Sequence, residues 1–251
     1  MGMAEQRGTA PPCLDAIYRV YGETGMAAHR GKQMNRTIIF DMDGVLFDTE
    51  RLSIPCWEAA GQKYGVPGMG ELSRQCMGTN ADKTREILTG SFDHPIPYEE
   101  MRAEKSRLMR EHFLREGMPV KKGVFELMDW LKKNGYRIGL ATSTRRDAVE
   151  EELAMCGLDR YFDAVVCGDE VKNSKPAPDI FLQCGRALDA EPAQTWVVED
   201  SYNGVRAAHA AGMKPIMVPD LLEPDEEMRR LTVRVCGDLT QVRAYLAQEE
   251  L

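Results

Sequence analysis

Two aspartates, Asp41 and Asp43, stand two residues apart directly behind the apolar run Thr37-Ile38-Ile39-Phe40. Alternate positions of a strand share one face, so a strand ending near Phe40 delivers both carboxylates to one place. Carboxylates that close repel each other and lose hydration, and they stay ionised only beside a cation. That cation is either Mg²⁺, a hard ion that takes carboxylate and carbonyl oxygens, or a basic side chain. The competing reading is a solvated turn, because Asp and Gly are turn residues and Gly44 follows.

Other apolar runs end in matching chemistry. Thr195-Trp196-Val197-Val198 ends in Glu199-Asp200-Ser201. Tyr136 to Ala141 ends in Thr142-Ser143-Thr144, whose hydroxyls and turn amides suit a phosphate oxygen. The run Ala164 to Cys167 leads on to Lys175-Pro176, a lysine just ahead of a proline-marked helix start. Acids, hydroxyls and one lysine at a common rim fit a phosphate held through Mg²⁺ and a cation better than they fit scattered surface polarity.

A common rim requires particular elements. From Gly123 onward, short β-rich runs alternate with helical patterns. Val124, Leu127, Met128 and Leu131 form the i, i+3, i+4, i+7 stripe of an amphipathic helix, which Gly135 ends. Strands are expected at Tyr136–Ala141, Ala164–Cys167, Thr195–Val198 and Pro215–Val218, with a last one at Thr232–Cys236. Helices are expected between them at Asp147–Cys156, Pro178–Leu188 and Gly204–Ala211, and a final one at Thr240–Gln248. This alternation predicts an α/β fold, a doubly wound parallel sheet covered on both faces. In such sheets ligands bind beyond the carboxyl ends of the strands, where the acids, hydroxyls and lysine fall. Between Glu50 and Lys122 the pattern is helical only, at Arg51–Tyr64, Asp82–Leu88 and Tyr98–Glu116. Helices inserted directly after the first strand suggest a cap over its carboxyl end; packing onto the sheet like any other helix is the other reading.

The whole chain bounds the function further. A net charge of −8 gives no global attraction for nucleic acid, so an anionic substrate must be held by local cations. No apolar run approaches the roughly 18–20 residues of a membrane span, and neither a nucleic-acid nor a membrane partner is expected. The first 33 residues lack the apolar core of a signal peptide; they read as an extension of unknown role, with Leu14–Tyr21 a candidate loose helix. Seven cysteines form no C-x-x-C pair and read as thiols of a reducing compartment, which fits a cytoplasmic protein. Four scattered histidines make a zinc enzyme a weak reading.

The chain resembles the haloacid dehalogenase superfamily, in the branch of β-phosphoglucomutase and small-metabolite phosphatases. Four motifs carry the resemblance, in order: Asp41-Met-Asp-Gly-Val45, Leu140-Ala-Thr-Ser-Thr144, Lys175-Pro176 and Val198-Glu-Asp-Ser201. It implies a Rossmann-like core (34–49 and 122–251) with an inserted α-helical cap domain (50–121). It implies that Asp41 is the nucleophile and Asp43 the general acid and base. It implies Mg²⁺ held by the Asp41 carboxylate, the Asp43 carbonyl and Asp200, with Glu199 supporting. Thr142, Ser143 and Lys175 would hold the phosphoryl oxygens, and Asp48-Thr49-Glu50 and Lys121-Lys122-Gly123 would be the cap's hinges.

Within the cap the chain departs from the mutases. They place a histidine where Ser53 falls and an arginine where Ala81 falls. Trp57 matches, and also reads as plain packing. Thr79, Asn80 and Lys83 are candidates for contact with the leaving group, as are Arg145 and Arg146 for a polar substrate. A solvated helix start or surface role competes for each of them. The expected function is therefore a Mg²⁺-dependent phosphatase, monomeric, acting on a small phosphorylated metabolite. A phosphosugar mutase and a non-catalytic binding relative are the alternatives.

Overall fold

Six parallel strands form the centre: β1 (Thr37–Phe40), β2 (Arg137–Ala141), β3 (Ala164–Val166), β4 (Thr195–Glu199), β5 (Lys214–Met217) and β6 (Arg234–Val235). The computed structural model describes residues 36–249. The spatial order is β3-β2-β1-β4-β5-β6. The chain winds outward from β1 in one direction and from β4 in the other, so the switch point lies between them. Phe40 pairs with Leu140 on one side and Val198 on the other. Asp41 is thereby carried out beside Ala141 and Glu199.

Strand alternation divides the core into two layers. Ile38 and Phe40 pack with Leu127, Met128 and Leu131 of α5 (Val124–Lys133), and with Val242 and Leu246 of α10 (Leu239–Glu249). Ile39 faces the other way, with Phe181 of α7 (Asp179–Ala187) and Ala207 of α8 (Tyr202–Ala210). Each side chain of this size removed from water contributes about 1.5–3 kcal/mol. Both faces are thus sealed, and polar chemistry is confined to the strand ends.

Between β1 and α5 lie α1 (Thr49–Lys63), α2 (Met69–Ser73), α3 (Ala81–Gly90) and α4 (Tyr98–Glu116). Trp57, Ala60, Met69, Leu88, Tyr98 and Met101 pack together in a cluster that holds no strand residue. The two connections to this insertion run side by side. Asp48 N–H donates to the Pro119 carbonyl at 2.8 Å, and Lys121 N–H to Leu46 at 2.9 Å.

Several element bounds differ from the sequence expectation. Helix α8 begins at Tyr202, two residues earlier than expected, because the Ser201 hydroxyl caps it by accepting from Gly204 N–H. Helix α2 was not expected, since five residues are too few to display a period. The last strand shortens to Arg234–Val235. Six cysteines (56, 76, 156, 167, 184 and 236) are free thiols, all buried except the half-buried Cys156. Among the described residues no helix is long and apolar enough to cross a membrane. The expectations for residues 1–33 lie outside the described residues.

Candidate active site

The carboxyl ends of β1, β2 and β4 meet at one buried lysine. Lys175 Nζ donates to Asp41 Oδ1 at 2.6 Å, Glu199 Oε1 at 2.7 Å and the Ala141 carbonyl at 3.2 Å. All three ammonium protons are used. The Lys175 side chain is 1% exposed and that of Glu199 is not exposed at all. Burial alone would depress the Lys175 pKa, but Asp41 and Glu199 outweigh it and raise it, so the ammonium stays charged.

Glu199 is fully committed. Its Oε2 accepts from the Asp200 and Ser201 amides, both at 2.9 Å, and from the Ser201 hydroxyl at 3.0 Å. A Cβ on Gly204 would lie 1.7 Å from Glu199 Oε1, so only glycine lets α8 approach this carboxylate. Asp200 is held against the turn after β1 in a similar way. Gly44 has φ of +79°, and a Cβ there would lie 2.1 Å from Asp200 Oδ2.

Asp43 occupies a different environment from Asp41. Its Oδ1 accepts from the Thr49 hydroxyl at 2.5 Å and its Oδ2 from the Thr144 hydroxyl at 2.7 Å. One donor comes from the start of α1 and the other from the loop after β2. Asp41 is buried at the sheet, whereas Asp43 is held at the edge of a cavity of about 600 Å³ that both line.

One ligand atom from each of Asp41, Glu199 and Asp200 lies within 4.8 Å of the others. Burial pushes the Asp41 pKa up to about 8 against the pull of Lys175, and Glu199 and Asp43 add to the rise. Burial also lifts Asp200 well above the ordinary carboxylate range, with Glu199 and Asp41 contributing. One lysine does not balance three acids. An oxygen-rich, anionic cluster of this kind suits a hard divalent cation, which would reverse both shifts.

The other expected site residues fall into two groups. Thr142 is fully buried, and its hydroxyl accepts from Thr144 N–H at 3.1 Å. Ser143 lines the cavity, and its hydroxyl reaches the Gly78 carbonyl at 3.4 Å. Thr79 and Arg145 also line it. Asn80 and Lys83 are not among the residues of its wall: Asn80 caps α3 by accepting from Lys83 N–H, and Lys83 Nζ pairs with Glu86 at 2.8 Å. Arg146 is taken up by Glu170 at 2.8 Å. Sequence reasoning did not single out Lys105, Tyr98 or Glu152, which also line the cavity. Lys105 is one charge among many in α4, and nothing in its spacing sets it apart.

Comparison with known proteins follows the same lines. The sequence model of the haloacid dehalogenase-like hydrolases matches residues 38–218. A phosphorylated carbohydrates phosphatase of Thermotoga maritima is 37% identical over 183 residues, 71% of this chain and 82% of its own length. A Drosophila melanogaster protein named "Probable pseudouridine-5'-phosphatase" is 38% identical over 217 residues, 83% of this chain and 89% of its own. The structure of CbbY from Rhodobacter sphaeroides in complex with phosphate matches with a TM-score of 0.73 at 26% identity, covering 83% of this chain and 96% of that one. The chain belongs to the haloacid dehalogenase-like hydrolase family.

Proposed function

We propose that this haloacid dehalogenase-like hydrolase is a Mg²⁺-dependent phosphatase of small phosphorylated metabolites, working through an aspartyl-phosphate on Asp41. One observation carries the reading. A buried carboxylate at the end of β1 is held by a buried lysine, and a second aspartate is fixed at the cavity edge by two hydroxyls.

The residues divide the work as follows. An Asp41 oxygen attacks phosphorus, and the bond from phosphorus to the leaving oxygen breaks. Asp43 delivers a proton to that oxygen, so the alcohol leaves neutral. Asp43 then takes a proton from water as the water attacks phosphorus, which breaks the bond to Asp41 and releases inorganic phosphate. Thr49 and Thr144 keep Asp43 aimed through both steps. Lys175 offsets the charge of a carboxylate meeting a phosphate dianion, while Thr142, Ser143 and the turn amides receive phosphoryl oxygens. Asp41, Asp200 and the Asp43 carbonyl would hold Mg²⁺, with Glu199 supporting. When bound, the ion neutralises charge shared by nucleophile and phosphate.

Helices α1 to α4 serve as a cap over this site, with the paired connections at Asp48 and Lys121 as its hinge. Ser53 and Ala81 line the cavity where mutases of this family carry histidine and arginine. That difference supports water, rather than a second sugar hydroxyl, as the acceptor. The free thiols fit a reducing compartment such as the cytoplasm.

The test is phosphate release from p-nitrophenyl phosphate and a panel of metabolite phosphates, with Mg²⁺ and with EDTA. Turnover that requires Mg²⁺ supports the reading. Turnover indifferent to chelation removes the metal, and no turnover of any ester removes the phosphatase.

A further inference from the structure

One buried carboxylate gathers both connections of the insertion. Asp220 lies in the loop between β5 and α9 (Glu226–Leu231). Its Oδ1 accepts from Lys121 Nζ at 2.8 Å and from Arg51 Nη2 at 3.2 Å, and its own carbonyl accepts from the same Arg51 nitrogen at 3.1 Å. Lys121 belongs to the returning connection and Arg51 to the first turn of α1. The Asp220 side chain is 3% exposed, and its Oδ2 is sealed from solvent with no hydrogen-bond partner. A well-packed neutral side chain would hold such a loop at less cost, so closing the loop does not by itself account for the charge. Arg110 of α4 also crosses to the core, pairing with Glu151 of α6 (Arg146–Cys156) at 2.7 Å, but that pair is exposed on both sides and contributes little.

The role of the charge lies on the other side of Lys121, whose Nζ also donates to the Gly44 carbonyl at 2.7 Å. Only glycine lets this turn approach Asp200 so closely, yet glycine is the residue whose backbone rotates most freely. Two bonds remove that freedom. Gly44 N–H donates to the Phe47 carbonyl at 2.9 Å, and Lys121 holds the Gly44 carbonyl. The peptide plane that carries the Gly44 N–H also carries the Asp43 carbonyl, one of the oxygens assigned above to Mg²⁺. Lys121 therefore restrains the residue that sets both the Asp43 carbonyl and the surface against which Asp200 rests. A lysine side chain is itself mobile unless tied, and Asp220 ties it.

We infer that Asp220 and Lys121 are positioning residues for the metal site, acting through Gly44, so that affinity for Mg²⁺ depends on how the two connections of the insertion are seated. This inference rests on the Mg²⁺ reading above.

The experiment titrates the metal-stripped full chain with Mg²⁺ alone, followed by calorimetry, in wild type and in variants whose folding is checked by thermal melts. Charge alone and positioning predict opposite signs. Removing a cation beside the acids strengthens their attraction for Mg²⁺, so by charge alone Lys121→Met and Arg51→Gln bind it more tightly. Positioning predicts weaker binding: by about tenfold for Lys121→Met, as for loss of a hydrogen bond to a charged group, and by about threefold for the more exposed Arg51→Gln. Adding Asp220→Asn to Lys121→Met should weaken binding by no more than about a further twofold, because Asp220 acts through the lysine. Unchanged or tighter binding in Lys121→Met overturns the inference, even where its melting temperature has fallen. The same result in Arg51→Gln overturns it too, and decides the matter if Lys121→Met does not fold. Losses that add in the double variant overturn the link from Asp220 to Lys121. Wild-type protein that binds no Mg²⁺ defeats the metal reading and this inference together, whereas wild-type binding that the variants leave unaltered defeats this inference alone.

Discussion

At the scale of single residues, two positions carry distinct expectations. Gly44 combines a positive φ with a Cα pressed against the Asp200 carboxylate. Gly44→Ala should cost about 1–3 kcal/mol in stability from backbone strain and should reduce phosphate release more than this loss explains, because Asp200 must move. Thermal melts and initial rates on the same preparation check both. Glu152 gives a pH dependence. Burial raises its carboxyl to about 8, with Asp43 adding and Lys105 opposing. The folded state thus holds this proton more tightly than the unfolded chain, whose pKa lies near 4.3. The resulting stability is fully present below about pH 4 and is lost as pH rises through about 8. Melting temperatures of the chelated protein should fall between about pH 5 and about pH 9, and Glu152→Gln should flatten that fall. An equally steep fall in the variant would place the titration elsewhere.

At the scale of elements, the critical join is between insertion and core. Lys121 Nζ donates to the Gly44 carbonyl at 2.7 Å and to Asp220 Oδ1 at 2.8 Å. Arg51, in the first turn of α1, reaches the same Asp220 at 3.2 Å. Both connections are thereby tied to the loop after β5 and to the turn that carries Asp43. The Asp220 side chain is only 3% exposed, so losing its lysine leaves a poorly compensated charge. Lys121→Met should destabilise the protein by about 1–3 kcal/mol and shift kcat and KM together, as hinge changes do. A change in stability with neither kinetic constant altered would make the tie purely structural. This join also marks where sequence reasoning stops. The motif acids and Lys175 could be placed because each ends an apolar run, and the run fixes its exit. Asp220 and Lys121 end no such run; their contact depends on how two loops 99 positions apart come together. The same holds for Lys105 and Glu152, which sit on helices in different parts of the chain. Asn80 shows the reverse case. It lies beside the cavity loop in sequence, but its side chain is spent on starting α3.

At the scale of the whole molecule, the strand order concentrates chemistry at one switch point while the two apolar layers exclude it elsewhere. The alternation of strands and helices was legible in the sequence, and the parallel order follows from it with little freedom. The size and composition of the cavity were not legible, because its wall is shared between core and insertion. The anionic cluster predicts that Mg²⁺ raises the melting temperature of the protein, since a ligand that binds only the folded state stabilises it. Asp200→Asn should abolish most of that rise, and an undiminished rise would move the ion away from the cluster. The central claim is covalent chemistry on Asp41, and it can be trapped. Enzyme turning over p-nitrophenyl phosphate with Mg²⁺ is quenched with borohydride, which reduces an acyl-phosphate to an alcohol, and its peptides are analysed by mass spectrometry. The account predicts reduction of Asp41 to homoserine, dependent on substrate and missing from Asp41→Asn, which should also have lost at least about a thousandfold in turnover. Substrate-dependent reduction at another carboxylate, or an Asp41→Asn variant that still turns over at the wild-type rate, would contradict it.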